Sequence, residues 1–201
     1  NSGFGQEKVE MTDTLAHTHS ETGVVFTIFP HHDEDYYDDV VAIKDLAIAR
    51  HGEKEWRLNV LTSELHGHLG VYALIGSKMG LYARELLGAN HDEMRIISFA
   101  GKKPPVSCMN DGLQVSTGAT LGHGLITIDE TRPVYPAADF IFNGKTVKVR
   151  LKENLHNEIA GLLKQAVVSY DGLTEPYWQY VRELAIRYWL ELDRNVIFEI
   201  H

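Results

Sequence analysis

The segment from residue 69 to residue 87 constrains this chain more than any other. Read as a helix, it carries Leu69, Ala73, Gly76, Gly80, Ala83 and Leu87 on one face. Val71, Ile75, Met79, Tyr82 and Leu86 fall on the opposite side. A helix that is apolar almost all round has no face to present to water, so it must be buried. Its cover is a sheet, a second copy of the chain, or both. Gly76 and Gly80 allow a second backbone to come close, and Gly88 supplies a left-handed stop. Close packing on a symmetry mate, and so a homodimer, is one expectation from this helix; a sheet would bury it equally well.

The rest of the chain supplies that cover. Residues 1–22 are polar and rich in Ser and Thr, and read as an extended arm. The β-branched and aromatic runs at 24–29 and 56–61 predict strands, as do 94–99 and 125–128. Asp33, Glu34, Asp35, Asp38 and Asp39 crowd the start of a helix reaching about residue 50, where their charge suits the positive N-terminus. A short helix is expected at 110–117, followed by the glycine-punctuated loop 118–124. Residues 138–142 and 145–151 flank Asn143-Gly144, the pair that a type I′ hairpin turn requires. Two helices, at 153–168 and 175–193, and a returning strand at 196–200 complete the chain. Strands and helices do not alternate regularly, which predicts an α+β fold of one domain: an antiparallel or mixed sheet packed on the long buried helix and the C-terminal helices.

Charge and cysteine content remove several functions. The net charge of -9 argues against a nucleic-acid surface. No run of about 18 uncharged apolar residues is present, so no membrane span is expected. Cys108 is the single cysteine, which excludes an intrachain disulfide and any cysteine-built zinc-finger module. A start at Asn1 favours a processed, extracytoplasmic protein over a cytoplasmic one.

Chemistry gathers at two places. His66-Gly67-His68 stands at the mouth of the long helix, and the two imidazoles can converge on one metal ion or anion where the backbone between them is extended or turn-like, as the glycine permits. The bland alternative is a pair of surface histidines. The second place is Cys108 with Asp111, running into Gln114, Thr117, Gly118 and Thr120. A thiol at a helix start is favoured as thiolate, the form that ligates metal. Asp111 can ligate, cap the helix or orient a histidine. His123, among Gly118, Gly122 and Gly124, can come close to a bound species, or the loop is a plain tight turn. His17, His19, His31 and His32 read as surface histidines. Tyr177, Trp178, Tyr180, Tyr188 and Trp189 read as core or interface.

These two motifs together resemble the FmdE family, whose name comes from formylmethanofuran dehydrogenase. The family signature looks like H-G-H-x-C-P-G leading into a helix that ends E-L-L-G; here His66-Gly67-His68-Leu69 leads to Glu85-Leu86-Leu87-Gly88. The second signature looks like C-x-x-D-A-I-Q, then T-G-C-T-x-G-x-G. It is matched by Cys108, Asp111-Gly112-Leu113-Gln114 and the stretch from Thr117 to Gly124. The resemblance covers about residues 60–130, with weaker support from the C-terminal helices. It implies an α+β core, often dimeric, and a metal-associated site. The chain departs from the pattern at Gly70 and Val71, where the family has Cys and Pro, and at Ala119, where it has a later Cys.

The resemblance implies His66, His68, Cys108 and Asp111 as metal residues, and two imidazoles with a thiolate suit zinc or iron; Thr120 and His123, from the glycine-punctuated loop, join His66 and His68 as candidate cofactor-binding residues. An open coordination position would take a small ligand. No base–nucleophile pair independent of metal is found, so binding comes before catalysis. The alternative is a tetrapyrrole carrier: Gly70 opens space where the cysteine would stand, and a histidine such as His68 can serve haem as axial ligand.

Overall fold

A computed structural model describes residues 24–201. The expected N-terminal arm, with His17 and His19, lies outside the described residues. The elements run α1 (Asp38–His51), α2 (Glu53–His66), α3 (Val71–Leu87), β1 (Arg95–Ser98), α4 (Met109–Thr117), β2 (Ile126–Ile128), β3 (Ala137–Phe142), β4 (Lys145–Leu151), α5 (Glu153–Ser169), α6 (Glu175–Glu191) and β5 (Phe198–Ile200). The strands form one mixed sheet in the order β2-β1-β3-β4-β5. β1 and β2 are parallel, and the other three pairings are antiparallel. The fold is α+β, as the irregular order of elements predicts. At the hairpin between β3 and β4, Asn143 and Gly144 both take positive φ, 48° and 73°, as a type I′ turn needs.

α3 sits at the centre. Every residue from Val71 to Leu81 is buried, against α2, α4, α6 and β4. The small residues do their work inside the chain. A Cβ on Gly76 would meet the carbonyl oxygen of Met109 at 2.0 Å, and one on Gly112 would meet that of Ala73 at 2.1 Å. A Cβ on Gly80 would run into Ser116 Oγ at 2.0 Å. The glycine face thus receives α4 of the same chain, not a symmetry mate. α4 also belongs to the crossover that parallel pairing of β1 and β2 requires, so the sheet and α3 together fix its place.

Two expected strands are corrected. Residues 56–61 belong to α2, where Glu55, Trp56, Asn59 and Thr62 form the buried face at helical spacing. The polar residues on that face disguise the period, and Trp56 is held by stacking on Trp189 at 4.6 Å. Residues 24–29 form no strand: Val24 and Val25 are 98% and 86% exposed, and the sheet ends at β2 and β5 without pairing them. Strand-forming residues without a partner edge remain irregular; here Phe29 lies under the Arg57 guanidinium instead. Among the described residues no helix is long and apolar enough to cross a membrane.

Candidate functional site

The site is built at the turn between α2 and α3. His66 is the last residue of α2, and Gly67 follows as a left-handed cap with φ 81° and ψ 1°, its N–H donating to the Ser63 carbonyl at 2.9 Å. That conformation favours glycine because it has no Cβ. It reverses the chain at once, so the His68 ring returns over the His66 ring with centroids 4.2 Å apart and planes at 40°. Convergence therefore comes from a left-handed glycine between the histidines, the turn-like one of the two conformations that the sequence leaves open.

α4 brings the second motif to the same turn. Asp111 Oδ2 lies 2.6 Å from His66 Nδ1. An ionised carboxylate only accepts, so Nδ1 carries the hydrogen and donates it. Nε2 of His66 is then the free nitrogen, and it is buried with no hydrogen-bond partner. The Asp111 hydrogen bond, helped by the neighbouring Cys108 thiol and opposed by burial, raises His66 to about 9. His68 moves the other way, lowered first by burial and then by the His66 charge. One ring is charged at neutral pH and its neighbour is not.

Gly70 locates the point where the two rings meet. Its backbone is extended, φ -124° and ψ 133°, so any residue could stand there. A Cβ at this position would lie 3.1 Å from His66 Nε2 and 3.4 Å from His68 Nε2. The family's cysteine would enter between the two nitrogens. Glycine leaves that space to something else.

Four of the expected residues, His66, His68, Cys108 and Asp111, thus lie around the turn and the start of α4. They do not all play one part. Asp111 is spent on His66 Nδ1, and among the described residues no group of three or more His, Cys, Asp or Glu side chains is placed to hold a metal ion. Thr120 and His123 lie elsewhere. Their loop follows the C-terminal end of α4, about 13 Å along the helix from Cys108 by the rise per residue. It is held by its own bonds: the His123 N–H donates to Thr120 Oγ1 at 3.1 Å, and its ring lies 3.1 Å from the Gly118 carbonyl.

The site also has a neighbour that the sequence reads as core or interface. Trp178 meets the His68 ring at 5.1 Å, with the planes at 71°. Tyr177, Tyr188 and Trp189 are buried, whereas Trp178 is 43% exposed. Helical spacing gives no signal for this: Trp178 stands seven residues before the buried Ala185 and eleven before the buried Trp189, on the same side of α6, and only its place in the first turn leaves it uncovered.

A curated protein of Archaeoglobus fulgidus, described as "Probable S-adenosyl-L-methionine-binding protein", is 36% identical over 76 residues, which make up 36% of this chain and 21% of that protein. The chain thus spans about a fifth of the length of the relative it matches. The profile of the family described as "FmdE, Molybdenum formylmethanofuran dehydrogenase operon" matches residues 65–199. That match takes in both motifs, the sheet and the C-terminal helices, and the chain belongs to the FmdE family.

Proposed function

We propose that this protein binds a divalent transition metal, zinc or iron, at the turn between α2 and α3, and offers it to a small ligand. The observation that carries the reading is His66: its Nδ1 is tied to Asp111, while its buried Nε2 has no partner and faces the space beside Gly70 to which His68 Nε2 also comes. A carboxylate on the outer nitrogen is how metal-binding histidines are oriented and made more basic. Donor chemistry agrees, since two imidazoles with a nearby thiol suit zinc or iron better than calcium or magnesium.

His66 and His68 would hold the metal, with Cys108 as the adjacent soft donor and Asp111 as the orienting carboxylate. A bound ion supplies a Lewis-acidic position that takes a small ligand in the place of water. The chain's own contribution is to keep Nδ1 of His66 bonded, to keep His68 neutral, and to exclude bulk at residue 70. The family description links the chain to a formylmethanofuran dehydrogenase operon. The residues at this site carry no feature specific to methanofuran, and no such step is part of the proposal.

Elemental analysis and an absorption spectrum of natively purified protein test the reading. About one metal per chain is expected, lost in both His66→Ala and His68→Ala. Metal content unchanged in both variants would overturn it. A Soret band would replace it with the tetrapyrrole alternative.

A further inference from the structure

Beside His68 the surface opens into a cleft of about 440 Å3, walled by His68 and Leu69 on one side and by Glu175, Trp178, Gln179 and Arg182 on the other. The last four are one face of α6, at spacings of three and four. The volume is that of a site for a small ligand. Of the three tryptophans, Trp56 and Trp189 are buried and stacked together. Only Trp178 leaves its indole to the cleft, and His68 stands across it to form an aromatic corner.

The polar groups decide what can lie against that indole. Arg182 is the one obvious anion receptor, and it is already engaged. Its Nε and Nη2 donate to Asp39 at 2.6 and 2.7 Å, and its guanidinium covers the Tyr37 ring. Glu175 has no ion-pair partner among the described residues. Gln179 gives one N–H to Glu183 at 2.9 Å, which leaves its carbonyl oxygen to accept. The cleft is therefore aromatic on one wall, rich in acceptors and without a spare positive charge. Carboxylates and phosphates are disfavoured there, and a flat ring with N–H groups to donate is favoured.

We infer that this cleft binds a planar, uncharged nitrogen heterocycle bearing an exocyclic amino group, stacked on Trp178 and hydrogen-bonded to Glu175 and Gln179. Stacking on an indole accepts any flat ring. Selection comes from the two acceptors, because a ring without the amino group forgoes their hydrogen bonds. The inference does not require a metal at His66 and His68.

Calorimetric titration of chelator-treated protein with adenine as the probe keeps the two readings apart. Saturable binding is expected, weakened about tenfold or more in Trp178→Leu. Gln179→Ala and Glu175→Gln, both at exposed positions, should each weaken it several-fold. Benzimidazole, a flat bicycle without the amino group, and benzoate, an anion, should bind more weakly than adenine. Absence of saturable adenine binding overturns the inference, as does benzimidazole or benzoate binding as tightly as adenine. Either result would leave the metal reading standing.

Discussion

Gly70 carries only hydrogen at the point between two imidazole nitrogens where the family motif places a cysteine. The extended backbone there tolerates a side chain, and the atoms a Cβ would touch are the ends of two imidazole rings, which can shift by a few tenths of an ångström. Gly70→Cys should therefore fold and bind zinc about tenfold more tightly or better, because a thiolate adds a strong soft ligand. Gly70→Val adds bulk without a donor and should lose the metal. A Cys variant no tighter than wild type in competition with a chromophoric chelator would refute this placement. The proton on His66 makes a second residue-scale prediction. A group raised to about 9 holds its proton at pH 7, and metal binding must expel it, at a cost of about 3 kcal/mol. Metal affinity should climb about tenfold per pH unit between 7 and 9, then level off. Asp111→Asn removes the main cause of the shift and should bring the plateau to lower pH. The sign for the metal-free fold is opposite: the His66–Asp111 contact stabilises it fully below about 6.5 and is lost as pH rises through about 9.

At the scale of elements, α2 shows why part of the structure was hidden in the sequence. Its buried face is Glu55, Trp56, Asn59 and Thr62, polar at every position but Trp56. Apolar periodicity cannot report such a helix, and the short run beginning at Trp56 reads as a strand instead. α3 is the converse: buried on every side from Val71 to Leu81 and mostly apolar, it is legible end to end. The His66–Asp111 contact was half legible, since sequence order brings the two motifs into one family pattern but cannot say that Asp111 bonds Nδ1. On α2, the Thr62 hydroxyl and both amide atoms of Asn59 are buried without partners. An unmet buried polar group costs about 1–3 kcal/mol. Thr62→Val, which keeps the shape and removes the hydroxyl, should leave stability unchanged or raise it by about 1 kcal/mol in denaturant titration. A loss of about 2 kcal/mol or more would mean that the hydroxyl is satisfied. Gly76→Ala should do the reverse. Its methyl would collide with the Met109 backbone, which cannot rotate away, and overpacking of this kind costs about 1–3 kcal/mol or more.

For the whole molecule, the question is what ties the C-terminal segment to the hairpin of helices that carries the site. Arg194, just before β5, answers it. Its Nη1 donates to Glu55 and to the His51 carbonyl, both at 2.9 Å, and its Nε and Nη2 donate to Glu85, also at 2.9 Å. Glu55 is fully buried and also bonded to the buried Lys78 of α3. One arginine thus closes a network joining the end of the chain to α2 and α3. None of this is readable in sequence, because Arg194 and Glu55 are 139 positions apart and neither belongs to a motif. Removing one partner from a buried charge network leaves the others uncompensated, which costs about 3–5 kcal/mol. Arg194 is partly exposed and Glu55 keeps Lys78, so Arg194→Met should cost toward the lower end, about 3 kcal/mol. The site should not follow. Glu55 and His66 are separated by eleven residues of α2, about 16 Å of helix, and no contact of Arg194 reaches the turn. The variant should unfold at markedly lower denaturant while keeping the metal stoichiometry and adenine affinity of wild type under native conditions. Loss of metal from a variant that is still folded would mean that the network positions His66 through α2. The anchor of the fold and the geometry of the site would then be one device, not two.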